Sequence, residues 1–239
     1  MLKESNIDMT NNTAGIINRN ATSPKPDYHK ELESIIKKNE ESGKLPTLLL
    51  HSCCGPCSSY VLFYLMQHFD ITVLFYNPNI FPEEEYEHRL SEQKRLIDVI
   101  NNEGGLEFEM NDRHFESKQQ TKIKLMTVEY DHREFTDFVT GFESEPEGGA
   151  RCKKCFELRL DKAKKIAEQN GFDYFGTTLT VSPHKNAVLI NELGKEIDSI
   201  HFLPSDFKKK EGYRISTILS KQLELYRQNF CGCEFARIL

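Results

Sequence analysis

The 239-residue chain lacks several features that would each indicate a particular class of protein. No apolar run approaches the roughly 20 residues that a helix needs to cross a bilayer, so we expect no membrane association. The N-terminus has no apolar stretch of the secretory type, and we expect a cytoplasmic protein. No Gly-x-Gly-x-x-Gly fingerprint is present, which argues against a nicotinamide or flavin bound in that way.

An excess of positive charge is also missing, since the formal net charge is -6. This balance excludes a protein coated in basic surface, so any nucleic acid must be bound by a local group of cations. The ordinary interpretation of a lysine run is a solvated loop. The cations that we expect to contact a nucleic acid lie on two loops and are His184, Lys185, Lys208, Lys209, Lys210 and Arg214.

Cysteine, in contrast, is abundant and grouped. In a reducing cytoplasm, grouped cysteines serve metals or catalysis more often than structural disulfides. The odd number also fits poorly with a full set of disulfides. The seven cysteines form three groups, C-C-G-P-C, C-K-K-C and C-G-C, and are Cys53, Cys54, Cys57, Cys152, Cys155, Cys231 and Cys233.

The spacing within each group suits a shared metal. Gly55 and Pro56 favour a tight turn in the first group, and Gly232 lets its two neighbours turn inward. A structural zinc ion takes four ligands, which would leave three cysteines unexplained. A four-iron cluster also takes four, and the remainder could hold a second metal. The residues favour an iron–sulfur site, and structural zinc remains the alternative.

Apolar segments alternate between strand and helix patterns, which predicts an α/β fold with a mostly parallel, doubly wound sheet. We expect a flexible tail over 1–27 and one domain over 28–239, with a helical cover around 114–150. Ligands of such sheets bind at the carboxyl ends of strands, near a topological switch point. The first cysteine group and the turn with Asn77 and Asn79 follow predicted strands. His51, at a strand end, is expected to be a hydrogen-bonded core histidine.

The predicted strands cover 47–51, 71–76, 106–110, 174–179 and 200–203. The predicted helices cover 28–41, 58–69, 83–102, 152–171 and 215–227, with a further helix through Leu193.

Five sequence blocks carry a resemblance to a known family. They are H-S-C-C-G-P-C, F-Y-N-P-N-I, R-C-K-K-C, T-T-L-T-V-S-P-H-K-N and Y-R-Q-N-F-C-G-C, in order between Thr47 and Phe235. This combination resembles the QueH family, the epoxyqueuosine reductases that lack flavin and cobalamin. The resemblance implies an oxidoreductase with a three-layer sandwich similar to the HUP superfamily.

The resemblance also implies a reaction. In this family epoxyqueuosine at the wobble position of tRNA is reduced to queuosine, the last step of queuosine biosynthesis. The family's site holds a [4Fe-4S] cluster beside a mononuclear metal, thought to be iron, and the seven cysteines match its ligands. Some members resemble this chain except for Asp at the position of Cys57. The division of ligands between the two metals stays open, as do catalytic residues beyond the ligands.

The electrons for this reaction must come from outside the chain. Removing the epoxide oxygen takes two electrons and two protons, and we expect a donor of the ferredoxin or flavodoxin class. The expected partner is tRNA containing epoxyqueuosine. The residues expected to bind it are Asn77, Asn79 and the six loop cations named above.

Two other functions are compatible with parts of the sequence. An iron–sulfur tRNA thiolase of related architecture would activate the base with ATP. Such an enzyme needs a serine- and glycine-rich phosphate loop after the first strand, where this chain has cysteines. A non-enzymatic, zinc-stabilised tRNA-binding module would be colourless and contain zinc.

The cysteine count generates a first prediction. Protein purified without oxygen should contain more than four irons per chain and a broad visible absorption that dithionite bleaches, because seven sulfur ligands exceed what structural zinc uses. Metal analysis and absorption spectroscopy measure both properties. Stoichiometric zinc without iron would contradict the prediction.

Overall fold

The structure, a computed structural model, describes residues 26–236. The expected tail over 1–27 lies outside the described residues, apart from its last two positions. Among the described residues, no helix is both long and apolar enough to cross a membrane.

Helices and strands alternate along most of the described chain. The helices are α1 (Tyr28–Glu41), α2 (Gly55–Leu65), α3 (Glu83–Glu103), α4 (Arg133–Phe138), α5 (Ala150–Asn170), α6 (Ala187–Ile197) and α7 (Gly212–Gln222). The strands are β1 (Thr47–Ser52), β2 (Asp70–Phe75), β3 (Gly105–Met110), β4 (Arg113–Lys118), β5 (Lys124–Thr127) and β6 (Tyr174–Thr177).

The main sheet has four parallel strands in the order β5-β2-β1-β6. The chain runs outward from β1 through β2 to β5, and it then returns to place β6 on the other side of β1. The strand order therefore reverses between β1 and β6. In open α/β sheets, ligands bind outside the carboxyl ends of the strands at such a reversal.

Strand β1 separates two apolar cores. Leu48 and Leu50 pack in the core that contains α1, α2, α3 and α7, whereas Leu49 packs in the core that contains α5 and α6. Successive side chains of a strand point to opposite faces, so both layers are built on one strand. Burying each leucine stabilises the fold by about 1.5–3 kcal/mol. The predicted α/β class and parallel sheet are confirmed, with helices on both faces.

The predicted strand over 106–110 exists, but it does not belong to the main sheet. It is β3, which pairs in antiparallel register with β4 to form a separate hairpin. Asn111 and Asp112 connect the two strands with positive φ angles of 53° and 58°. Two such residues between paired strands suit the twist of a tight hairpin. The sequence predicted the strand over 106–110 but not this turn or the partner strand β4.

The expected helical cover over 114–150 is only partly helical. The segment contains strands β4 and β5, and within it helix α4 has six residues. Strand β5 lies at the edge of the main sheet and pairs with β2. Its two end residues are exposed and its two central residues are half-buried. A short edge strand has a weak apolar pattern, and this explains why it was not predicted.

Three other boundaries differ from the prediction. Strand β6 ends at Thr177, and a short 3₁₀ turn follows over Thr178–Val181. The segment 200–203 makes a single bridge, from Phe202 to Phe175. Helix α7 ends at Gln222 and not at 227. Because α7 ends early, the segment after it is not helical and can run toward the carboxyl ends of the strands, where it places the last cysteines.

Candidate metal centre and adjoining cavity

The first cysteine group forms the junction between β1 and α2. The predicted C-C-G-P-C turn was wrong in one respect, since α2 begins at Gly55 and not at Ser58. Cys54 is the N-cap of this helix, and its Sγ accepts a hydrogen bond of 3.3 Å from the Cys57 amide. Pro56 lies in the first turn, where its missing N–H has no helical partner to lose. The helix start therefore fixes the spacing of these cysteines.

Three sulfur atoms converge at this junction. The Sγ atoms of Cys54 and Cys57 lie 2.7 Å apart, and those of Cys53 and Cys54 lie 3.9 Å apart. All three cysteine sulfurs lie within 4.8 Å of one another. Within residues 26–236, no other set of three Cys, His, Asp or Glu side chains is as close. Soft sulfur ligands that converge on one point suit iron or zinc.

The three thiols titrate as a linked set. Hydrogen bonds with the Cys54 and Cys57 thiols hold the pKa of Cys53 well below its usual value. Burial raises the pKa of Cys54 to about 12, and hydrogen bonds with its neighbours raise the pKa of Cys57. One thiolate is therefore favoured, whereas three thiolates together need a compensating cation.

Cys155 of the second cysteine group meets the third group in a second cluster, whereas Cys152 packs in the cluster of Cys53 and Cys54. Cys155, on the second turn of α5, shares a small apolar cluster with Cys231, Cys233 and Phe135. Burial raises the pKa of Cys155 to about 12, and nearby thiolate charge on Cys231, Cys233 and Cys152 raises it further. The predicted convergence of α5 with the C-G-C segment is therefore present.

The C-G-C segment is fastened to the turn after β2. The Phe81 amide donates a 2.9 Å hydrogen bond to the carbonyl of Gly232. A Cβ at Gly232 would lie 2.7 Å from Ile80, so only glycine fits this approach. His132 bridges the same two segments, because Nδ1 donates to the Pro78 carbonyl at 2.6 Å and Nε2 lies 2.7 Å from the Glu234 carboxylate.

Two cations, Arg159 and Lys185, lie within electrostatic reach of both cysteine clusters. Arg159 is 3% exposed, and its Nε donates to the Cys155 carbonyl at 3.0 Å. Burial opposes the charge of Arg159 and Lys185, but cysteine charge on both sides outweighs this effect and raises their pKa. Sequence analysis missed Arg159. The available signal was its position four residues after Cys155 on one helix, which places both on one face.

A cavity of about 460 Å³ opens beside the cysteines, at the reversal point of the sheet. Its lining combines sulfur, several cations and a single carboxylate. The residues that define this character are Cys53, Cys57, Cys231, Arg89, Arg159, Lys185, Arg227 and Glu147. Sequence analysis did not single out Arg89, Arg227 or Glu147.

Three of the expected substrate-binding residues line this cavity: Asn79, His184 and Lys185. Asn77 does not line it. The Asn77 side chain is buried and its Nδ2 donates to the Ser52 carbonyl at 2.8 Å, which ties the end of β1 to the turn after β2. His51 has a similar role and is the predicted core histidine.

The hydrogen bonds of His51 join three strands. Its Nε2 donates to the Tyr76 carbonyl at 3.1 Å, and the Thr177 hydroxyl donates to its Nδ1 at 2.9 Å. Burial lowers the pKa of His51 to about 4. The imidazole is therefore neutral near pH 7 and available for both hydrogen bonds.

The expected RNA-binding cations near α7 lie outside the cavity lining, and Arg214 is in the first turn of α7, not on the predicted loop before it. Lys208 donates to the carbonyls of Thr180 and Lys185, at 3.2 and 3.5 Å, so it supports the turn that carries Lys185. Lys210 pairs with Glu33. Arg214 lies 2.9 Å from Glu211, and Lys209 is exposed. Their expected contact with RNA stays a prediction.

Taken together, the parallel sheet, the converging cysteines and the cationic cavity define an α/β protein with a candidate thiolate metal centre. The model of one family, described as Epoxyqueuosine reductase QueH, matches residues 48–238. The chain belongs to this family of oxidoreductases, as the sequence blocks predicted.

Curated relatives carry the same description. A Staphylococcus epidermidis protein named Epoxyqueuosine reductase QueH is 42% identical over 217 residues, which cover 89% of this chain and 85% of that protein. Proteins of the same name from Streptococcus pyogenes serotype M1 and Thermotoga maritima are 39% and 33% identical. These two alignments cover 89% and 80% of this chain, and 78% and 90% of the relatives.

The chain also matches, weakly, the solved structure of the U34-tRNA thiolase NcsA from Methanococcus maripaludis with its [4Fe-4S] cluster. It is 13% identical, with a TM-score of 0.39, and the match covers 87% of this chain and 71% of that chain.

The position of Arg159 generates a second prediction. Changing Arg159→Gln in metal-free, reduced protein should move the thiolate titration to higher pH, because the lost positive charge stabilised thiolates on both sides. Thiolate absorbance as a function of pH measures this shift.

Two variants control the experiment. Arg159→Lys keeps the charge and should titrate close to wild type. Lys165→Gln removes a charge from the exposed face of α5 and should change little. Identical titrations for Arg159→Gln and wild type would show that Arg159 does not act on the cysteines.

Proposed function

We propose that this chain reduces epoxyqueuosine at the wobble position of tRNA to queuosine, using an iron–sulfur cluster and an adjacent iron held by its cysteines. The observation that carries the proposal is the cavity that exposes Cys53 and Cys57 from one group and Cys231 from another. Membership of the family supports the substrate. The reaction completes queuosine biosynthesis and takes place in the cytoplasm.

The residues present fit such a metal centre. Two sets of sulfur ligands border one cavity, and sulfur is the preferred ligand of iron–sulfur clusters. The first set would be Cys53, Cys54 and Cys57. The second would come from Cys155, Cys231 and Cys233, and Cys152 lies near both sets. Arg159 and Lys185 supply positive charge that buried, thiolate-rich groups require.

The chemistry balances with an external reductant. Two electrons and two protons convert the epoxide into an alkene and water. A cluster held by these cysteines would supply one-electron chemistry, with a donor of the ferredoxin or flavodoxin class as the external reductant. The chain itself shows no dinucleotide fingerprint that would hold a nicotinamide or flavin in the usual way.

The remaining residues bind and orient the substrate. The modified base would leave the anticodon loop to enter the cavity, as unpaired bases do in RNA recognition. His184 and Arg227 are exposed cavity residues and would lie against the RNA backbone. Lys209, with Lys208, Lys210 and Arg214 nearby, would extend this contact along the loop before α7 and onto the first turn of that helix. These few cations would provide the local positive charge that RNA binding needs in a chain whose net charge is negative.

A third prediction tests the function. Anaerobically reconstituted protein, given dithionite-reduced ferredoxin and no ATP, should convert tRNA-bound epoxyqueuosine into a nucleoside lighter by one oxygen atom. Digestion of the tRNA and mass spectrometry detect the product. Cys53→Ser should abolish conversion, because it removes a sulfur that both contacts Cys54 and lines the cavity.

The control is Lys94→Gln, which removes an exposed charge from α3 and should leave conversion intact. Sulfur incorporation that requires ATP would support the thiolase alternative instead. Zinc-loaded protein that binds tRNA without converting it would support the non-enzymatic module.

A further inference from the structure

Three polar atoms in residues that line the cavity are buried without a hydrogen-bond partner among the described residues. They are Nη2 of Arg89, Oδ1 of Asn79 and Oε1 of Gln228. Arg89 and Asn79 are only 3% and 4% exposed. A buried polar group without a partner destabilises a protein, so such groups call for a physical explanation. Their shared position beside the cavity indicates a ligand that completes their hydrogen bonds.

Arg89 is held so that one part of its guanidinium remains available. Its Nε donates to Glu85 Oε1 at 2.6 Å, and its guanidinium carbon lies 5.2 Å from the centre of the Phe230 ring. The ion pair is largely buried, so Glu85 neutralises most of the charge of Arg89. What remains is a directed N–H donor, which suits a neutral oxygen better than a phosphate.

The two amide side chains supply acceptors. Asn79 lies in the turn after β2, and its Oδ1 lacks a donor. Gln228 lines the cavity together with Cys53 and Cys57, and its Oε1 is buried without a donor. Its amide therefore lies beside the first cysteine group. Together the three side chains offer one donor and two acceptors next to the candidate metal centre.

We propose that Arg89, Asn79 and Gln228 form a subsite that recognises a pair of neighbouring hydroxyls on the substrate. The two hydroxyl hydrogens would be donated to Asn79 and Gln228, and a hydroxyl oxygen would accept from Arg89 Nη2. This inference rests on the proposed function. Because Gln228 shares the cavity with Cys53, Cys57 and Cys231, the hydroxyls would belong to the ring that carries the epoxide, close to the reacting carbons.

The ribose is the other source of hydroxyls in tRNA. Within the polynucleotide it offers a single free 2′-hydroxyl, since its 3′-oxygen is esterified. A subsite for the hydroxylated ring predicts discrimination between tRNA that carries epoxyqueuosine and the same tRNA with guanosine at the wobble position. A subsite for ribose predicts equal binding of both.

The test compares equilibrium binding of these two tRNAs, without reductant, to wild type and to Arg89→Lys. The lysine retains the positive charge opposite Glu85 but lacks the second nitrogen of the fork. We expect about a tenfold loss of affinity for the epoxyqueuosine tRNA, the effect of one hydrogen bond to a charged donor, and no change for the guanosine tRNA. Asn79→Ala should act in the same way, whereas Asn79→Asp keeps an acceptor and should retain more of the preference.

Lys94→Gln, on the exposed face of the same helix, is the matched control and should bind both tRNAs as wild type does. Thermal unfolding shows whether each variant folds. Equal weakening of both tRNAs in Arg89→Lys, or an unchanged preference, would overturn the subsite. Failure of wild-type protein to convert epoxyqueuosine would instead overturn the proposed function, so the two results are distinguishable.

Discussion

The charge balance between buried cysteines and buried cations is the constraint on which the site depends. Thiolates removed from water are unfavourable unless positive charge or a metal compensates them. Arg159 and Lys185 lie within electrostatic reach of cysteines from two segments, and both cations border the same cavity. Without metal, burial keeps Cys54 and Cys155 protonated near pH 7. The cations therefore lower the free energy of the thiolate state without completing it, which is the condition expected of a centre that a metal fills.

The parallel sheet determines where the cysteines and cations lie. Parallel strands end at one edge, so β1, β2 and β6 deliver Ser52, Phe75 and Thr177 to a common border. His51 fastens all three strand ends through its two ring nitrogens. On the far side, Arg95 donates to the carbonyls of Leu223 and Glu224, both at 2.7 Å, and directs the last segment toward the cavity. Precise placement of the cysteines thus rests on hydrogen bonds outside the cysteine groups.

Much of the fold could be predicted from local pattern. The buried runs of β1 and β2 and the long helices α3 and α5 are strongly patterned, and the structure places them close to the predicted bounds. Strand β5 and the β3–β4 hairpin were missed, because a four-residue edge strand and a turn at positive φ leave little apolar signal.

Site residues could be predicted from the sequence only where the residue type itself indicates a chemical role. The cysteines, Asn79, His184 and Lys185 could be selected on that basis, and the structure places the last three at the cavity. Arg89 and Gln228 could not, because arginine and glutamine on helices and loops are usually solvated. Their importance comes from buried atoms without hydrogen-bond partners, a property of tertiary packing. Arg159 could have been selected from its position one helical turn after Cys155. For Lys208, residue type pointed to an RNA contact, whereas in the structure its amine binds backbone carbonyls and supports a turn.

The central claim is that cysteines from three segments hold metal at one cavity beside the β1–β6 reversal. Diffraction from anaerobically grown crystals, measured on both sides of the iron absorption edge, tests it most directly. The account predicts anomalous iron density in contact with Cys53, Cys54 and Cys57 and also with Cys155 and Cys231, within the same cavity. Iron confined to one group, with the other cysteines unligated, would contradict a centre built from all three segments.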